Sequence, residues 1–175
     1  MLIRHAESEP PRPDGPDDLH RPLTARGHRF AELLADTGTP TAVYSSPYLR
    51  AVQTVTPLAR AAGLPVRTRW ELREWDSGLA PTPDYAEHYA ASWADPTAAR
   101  PGGESLDQLT ARALAAVAAV AGAGTVVIGS HGTFVSRLLV GLGVAVDWPF
   151  SHAMPMPAVY RFRWGPDPVV RGPGL

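Results

Sequence analysis

Two histidines lie in segments where a side chain could do chemistry. His5 follows Arg4 directly behind a very short apolar stretch, and His131 follows an apolar run in the last third of the chain. A neutral imidazole is a competent nucleophile near pH 7, because its unperturbed pKa of about 6.5 leaves most of it unprotonated there. With Arg4 and Arg50 nearby, two guanidinium and two imidazole groups would favour a tetrahedral dianion, and phosphate fits that description.

Each of these residues also has an ordinary structural explanation. A single histidine at a strand end is more often a plain polar residue, and an arginine in the first turn of a helix, such as Arg50, usually lies in solvent. Glu74, beside Trp75 in a loop, would usually be exposed or salt-bridged. The chemical interpretation therefore depends on whether the fold brings these side chains to one place.

The elements that must position them begin with short apolar strands. Such runs predict strands at Leu2-Ile3, Ala42 to Tyr44, Thr125 to Ile128 and Ala158 to Trp164. The third run is apolar throughout, which is typical of a strand buried on both faces. The last one is a candidate to pair with Val169-Val170. The first three runs lead directly into Arg4-His5, into the Ser45 to Arg50 segment and into Ser130-His131.

Capping residues and apolar spacing predict four helices between the strands. The predicted helices run from Thr24 to Gly38, from Ser46 onward, from Ser105 to Val120 and from Phe134 to Leu142. In the first helix, Phe30, Ala31, Leu33 and Leu34 fall on one side. Ser46 and Pro47 read as a cap and a first-turn proline, and Pro57 should bend or interrupt that helix. Ser105 and Gln108 have capping-box spacing.

Strands that alternate with helices predict an α/β fold, with a mostly parallel central sheet covered by helices on both faces. We expect one domain over residues 1–175. The stretch from Trp70 to Gly103 has no clear period and carries several aromatic residues, so residues 75 to 103 are interpreted as a short irregular lid. Ligands of such sheets bind beyond the carboxyl ends of the strands, where His5 and His131 should lie.

The composition narrows the classes of partner and chemistry. The formal net charge is −1, so no broad field attracts nucleic acid or anionic lipid. Cysteine is absent, which excludes disulfides, thiolate metal sites and a cysteine nucleophile. No apolar run approaches the roughly 18 residues of a membrane span and no leader pattern precedes Arg4, so we expect a cytoplasmic enzyme acting on a small molecule.

Six blocks, in order, resemble the histidine phosphatase family, also called phosphoglycerate mutase-like, over nearly the whole chain. Leu2-Ile-Arg-His-Ala-Glu-Ser8 is similar to its opening Arg-His-Gly signature, with Ala6 in place of the usual Gly. The other blocks are Pro22-Leu-Thr-Ala-Arg-Gly27, Ser45-Ser-Pro-Tyr-Leu-Arg-Ala-Val-Gln-Thr54, Leu72-Arg-Glu-Trp-Asp-Ser-Gly78, Pro101-Gly-Gly-Glu-Ser105 and Ser130-His-Gly132.

The resemblance implies a role for each matching residue. His5 would be the nucleophile, and Glu74 the proton donor to the leaving group. Arg4, Arg50 and a protonated His131 would hold the phosphoryl oxygens. Ser8 and Gly132 would add substrate contacts, and no metal or cofactor would be needed. Glu104 and Glu7 are weaker candidates for the proton donor.

The sequence departs from the family pattern at two places beyond Ala6. Pro11 stands where the family often has an asparagine, which removes or displaces one substrate contact. Leu79-Ala-Pro-Thr82 replaces the usual Trp-Glu-Gly after Gly78, so the lid should have its own shape.

The main functional hypothesis is a phosphomonoesterase that hydrolyses a small phosphorylated metabolite through a phosphohistidine on His5. A phosphoglycerate-mutase-type transferase, a protein phosphohistidine phosphatase and a catalytically silent phosphate-binding module remain alternatives. A histidine and glutamate metal site is disfavoured, because the histidines lack close ligand spacing. The near-zero charge does not oppose self-association, so the sequence leaves the oligomeric state open.

Overall fold

A five-stranded sheet forms the centre of the fold. Its strands are β1 (Leu2–Arg4), β2 (Ala42–Ser45), β3 (Val66–Thr68), β4 (Val126–Ser130) and β5 (Ala158–Tyr160), in the spatial order β3-β2-β4-β1-β5. The first four strands are parallel, and β5 pairs antiparallel with β1 at one edge. This computed structural model describes residues 1–12, 14–80 and 82–175.

Helices cover both faces of the sheet. They are α1 (Ala25–Leu33), α2 (Leu49–Ala61), α3 (Tyr85–Ala94), α4 (Leu106–Val120), α5 (Gly132–Gly141) and α6 (Trp148–Ala153). Alternate strand residues point to opposite faces, so Leu2 and Ile128 pack in the core beneath α4 and α5. Ile3 and Val127 pack on the other face with α2. The fold is the predicted single-domain α/β architecture.

Several predicted details hold and several do not. The capping box of Ser105 and Gln108 begins α4, and Thr24 caps α1. Leu33, expected on the buried side of α1, is exposed. Helix α2 begins after Tyr48 instead of Ser46, and it continues through Pro57 without interruption. Strand β5 ends at Tyr160, and its segment is bridged to the C-terminal stretch by Arg161 and Arg171 instead of Val169-Val170.

The segment predicted as an irregular lid contains the ten-residue helix α3, which corrects that expectation. The helix is held by aromatic contacts: the Tyr89 ring lies 4.8 Å from that of Trp75 and 5.7 Å from that of Trp148. Pro81, within the predicted departure at 79 to 82, lies outside the described residues, as does Pro13 in the proline-rich loop. No helix in the described part of the chain has both the length and the apolar character to cross a bilayer.

Candidate active site

The carboxyl ends of the four parallel strands bring the candidate residues to one edge of the sheet. Arg4 ends β1 and is followed by His5, while His131 links β4 to α5. Arg50 lies in the first turn of α2, directly beyond β2, and Glu74 follows β3 after a short 3-10 turn. This edge is where α/β sheets bind ligands.

His5 is held in a single orientation and protonation state. Its Nδ1 lies 2.7 Å from the carbonyl oxygen of Ala6. Since a carbonyl can only accept, Nδ1 carries the proton and Nε2 keeps its lone pair. Arg50 Nε donates to that lone pair at 3.2 Å. Burial, together with the charge of Arg50, lowers the pKa of His5 to about 3, so its imidazole is neutral at pH 7.

A threonine joins the two sides of this arrangement. Thr54 Oγ1 accepts from the backbone N–H of Ala6 at 2.9 Å and donates to the carbonyl of Arg50 at 2.7 Å. The hydroxyl therefore ties the turn after β1 to the first turns of α2. The distance between His5 and Arg50 is fixed by the backbone as well as by their own contact.

His131 lies beside His5, with ring centroids 5.3 Å apart. Its Nε2 lies 2.8 Å from Ser46 Oγ, and the ring of Tyr48 packs on it at 4.9 Å. Burial and the charge of Arg50 lower the pKa of His131 well below its usual range. The protonated His131 expected from the sequence therefore requires the added negative charge of a phosphate beside the ring.

Arg4 approaches the first turn of α5 closely. A Cβ atom on Gly132 would lie only 3.2 Å from Arg4 Cζ, so a larger residue there would press on the guanidinium. Arg4 Nη1 donates to the carbonyl of Met154. Within the described residues, the buried Arg4 Nε and His131 Nδ1 have no hydrogen-bond partner. Buried polar atoms of this kind are costly unless a hydrogen-bond partner satisfies them.

Arg50 is 3 % exposed and is shared with the loop before α1. Its Nη1 donates to the carbonyl of Asp18 at 2.6 Å, and its Nη2 donates to the Asp18 carboxylate at 3.1 Å. Arg21 also binds that carboxylate, and it donates to Ser8 Oγ at 2.9 Å. Ser8 therefore lies beside a third guanidinium. Sequence reasoning missed Asp18 and Arg21, which no motif or period distinguished.

Glu74 lies against the first turn of α5. Its carboxylate accepts from the backbone N–H groups of Phe134 at 3.0 Å and Thr133 at 3.3 Å, close to His131 in the chain. The N-terminal end of a helix favours a carboxylate at this place, because its N–H groups are otherwise unpaired. Glu74 is thus held by α5, the helix that follows His131.

The two weaker candidates for the proton donor are engaged elsewhere. Glu104 is paired with Arg112 of α4, whose Nε donates to it at 3.0 Å. Glu7 accepts from Thr24 Oγ1 at 2.8 Å, at the start of α1. Throughout the described ranges, no group of three or more histidine, aspartate or glutamate side chains has the arrangement of a metal site.

Comparison with known proteins gives a family and a fold. Residues 1–169 match the histidine phosphatase superfamily (branch 1). No curated protein matches the chain. A mutant phosphoserine phosphatase from Entamoeba histolytica, solved in complex with phosphoserine, superposes with a TM-score of 0.74 at 22% identity, covering 99% of this chain and 95% of the other.

Two further solved structures are similar over most of their lengths. A mycobacterial glucosyl-3-phosphoglycerate phosphatase has a TM-score of 0.70 at 24% identity, with 91% of this chain and 86% of that chain covered. A protein from Thermus thermophilus has a TM-score of 0.68 at 28% identity, with 98% and 96% covered. These TM-scores show that the chain has the same overall fold as each of them.

Proposed function

The chain belongs to branch 1 of the histidine phosphatase superfamily, and on that premise we propose that it is a phosphomonoesterase that hydrolyses a small phosphorylated metabolite through a phosphohistidine on His5. Two of its structural neighbours are named as phosphatases of phosphoserine and of glucosyl-3-phosphoglycerate, which supports a small ester as substrate. The near-zero net charge fits an enzyme that acts on a small molecule.

The first chemical step transfers the phosphoryl group to His5. Its Nε2 lone pair attacks phosphorus, and the bond from phosphorus to the ester oxygen breaks. Glu74, which has to take up a proton from solvent before this step, gives that proton to the departing oxygen. In the second step water attacks the phosphohistidine, Glu74 takes a proton from that water, and the bond from phosphorus to Nε2 breaks. Inorganic phosphate leaves, and both side chains return to their starting protonation states.

Charge on the transferring group is stabilised by the protein's own cations in this proposal. Arg4, Arg50 and His131 would hold the equatorial oxygens, a function that magnesium serves in many other phosphoryl-transfer enzymes. Ser8 and Gly132 would add contacts to the same substrate. Arg50 Nε now donates to His5 Nε2, so this hydrogen bond must transfer to a phosphoryl oxygen before the lone pair can attack.

The observation that carries the proposal is the pairing of two buried imidazoles 5.3 Å apart, with Arg50 donating a hydrogen bond to the unprotonated Nε2 of His5. A decisive experiment is rapid quenching with an aryl phosphate carrying labelled phosphorus, followed by analysis of the denatured protein. We expect an acid-labile, base-stable label on His5, released as inorganic phosphate with the kinetics of turnover.

The matched control is His5→Asn, which keeps a polar group of similar reach but cannot form a phosphohistidine. This variant should bind vanadate while losing both the label and turnover. Label on His131 in the wild-type protein, or turnover retained by His5→Asn, would contradict the proposal. Binding of vanadate without hydrolysis of any ester by the wild-type protein would instead identify a silent phosphate-binding module.

Product analysis separates the remaining alternatives. Release of phosphate without any bisphosphorylated cofactor distinguishes the phosphomonoesterase from a mutase. A higher kcat/KM for a phosphohistidine peptide than for small esters would indicate a protein phosphohistidine phosphatase.

A further inference from the structure

A row of aromatic rings leads from the proposed phosphate pocket to the protein surface. The ring of Tyr48 lies 4.9 Å from that of buried His131, and the ring of Trp70 lies 6.3 Å from that of Tyr48. Trp70 is 55 % exposed, although tryptophan is usually well buried. The row therefore ends in a large apolar side chain at the surface.

The exposure of Trp70 is imposed by a firmly anchored turn. Trp70 begins the 3-10 turn Trp70–Leu72, and Leu72 of that turn is fully buried in the core. Arg112 of α4 donates to the carbonyls of Glu71 at 2.8 Å and Arg73 at 3.0 Å, and these hydrogen bonds fix the turn to that helix. The indole is thus presented at the surface by a segment that is itself held in place.

This same segment carries the proposed proton donor, Glu74, four residues after Trp70. A leaving group must depart on the side where its oxygen receives the proton, because the donor has to be within hydrogen-bond reach of that oxygen. In the proposed reaction the part of the substrate beyond the ester oxygen therefore lies on the side of Glu74, whose segment also carries Trp70. Both rings also have arginines over them: Arg50 over Tyr48 at 4.9 Å, and Arg73 over Trp70 at 5.6 Å.

We propose that Tyr48 and Trp70 form a leaving-group subsite that stacks a planar aromatic or heteroaromatic ring borne by the phosphate ester. This inference rests on the proposed function, since it names the class of substrate for the same site. Offset or edge-to-face contact with the exposed indole supplies the attraction, and it needs no particular hydrogen-bonding pattern on the ring. The subsite thus selects for a flat ring near the phosphate, whatever its substituents.

The test compares two esters that differ only in the ring. Phenylethyl phosphate and cyclohexylethyl phosphate both release a primary alcohol with the same number of carbons, so the leaving oxygen and the apolar size are matched and only the aromaticity of the ring differs. We expect the wild-type protein to prefer the phenylethyl ester in kcat/KM, and Trp70→Ala to reduce that preference about tenfold. Trp70→Phe should retain most of it, because a ring remains.

Trp164→Ala is the matched control, because Trp164 is also partly exposed, at 38 %, and lies in a different part of the fold. It should leave the preference unchanged. Equal losses on both esters in Trp70→Ala, or an unaltered preference, would overturn the subsite. If wild-type protein hydrolysed neither ester, calorimetric binding of the two corresponding phosphonates would still decide whether Trp70 selects the ring, and the labelling of His5 would decide the proposed function independently.

Discussion

Replacing Arg112 by methionine should destabilise the protein strongly. The Arg112 and Glu104 side chains are only 13 % and 14 % exposed, and they form a charge pair between α4 and the turn after Gly103. The substitution keeps the aliphatic stem but leaves the Glu104 carboxylate buried without its partner. Removing one member of a buried pair costs about 3–5 kcal/mol, mainly because the remaining charge is uncompensated.

The contacts of Arg112 with the backbone add to this effect. Its guanidinium also donates to the carbonyls of Glu71, Arg73 and Glu74 at 2.8 to 3.2 Å. In a domain of this size a loss of 1 kcal/mol lowers Tm by about 2–4 °C, so we expect Tm to fall by roughly 6–20 °C. Thermal unfolding followed by circular dichroism measures the change directly.

A double variant tests the assigned cause. Glu104→Gln combined with Arg112→Met removes the stranded charge, so it should unfold at a higher temperature than Arg112→Met alone. In enzyme that remains folded, Arg112→Met should lower kcat more than it raises KM, because the Glu74 backbone loses a support. A fall in Tm of less than about 3 °C, or a double variant no more stable than the single one, would refute the reasoning.

Two further predictions concern the charges around His5, the proposed nucleophile. Asp18→Asn should bind inorganic phosphate several-fold more tightly in calorimetry, because a phosphate no longer competes with a carboxylate for Arg50 and Arg21. Weaker binding in Asp18→Asn, or an equal gain in the control variant Asp17→Asn, would contradict this prediction. The pKa of His5 falls from an ordinary 6.5 in the unfolded chain to about 3 in the folded protein. Between these two pH values the unfolded chain protonates His5 and the folded protein does not. The free energy of unfolding should therefore decrease as pH falls from 6.5 towards 3. Urea denaturation at pH 7 and pH 5 measures this decrease, which should be smaller in His5→Gln; an equal decrease in that variant would count against a neutral buried His5.

The parts of the site at strand ends could be predicted from sequence, because buried strands have a clear local signal. Leu2-Ile3 and the apolar run to Ile128 located β1 and β4, and so located the segments that carry His5 and His131. Parallel strands share a carboxyl edge, so chain order alone placed these residues together. Strand β3 escaped prediction because Val66–Thr68 is short and mostly exposed, without an apolar run.

Other parts of the site depend on contacts that have no local signal. Ser46 before Pro47 has the pattern of a helix cap, yet its hydroxyl contacts His131, which is 85 residues away in sequence. Asp18 reaches Arg50 across 32 residues from a proline-rich loop without any period. Helix α3 was also missed, because only Ser92 among its residues is buried. Its Tyr89 contacts the ring of Trp75 edge-on, and such a contact leaves no apolar period in the sequence.

The placement of Arg50 explains how the proposed site would combine a neutral nucleophile with strong positive charge. A histidine that must attack phosphorus needs a free lone pair, whereas a pocket for a dianion needs cations. Arg50 supplies a cation while its charge, added to the effect of burial, lowers the pKa values of His5 and His131. A bound dianion would offset that charge beside both rings. Nδ1 of His5 bonds to the Ala6 carbonyl, and the proposed mechanism uses its Nε2 to attack phosphorus. In that mechanism His131 is therefore the imidazole that takes up a proton as phosphate binds.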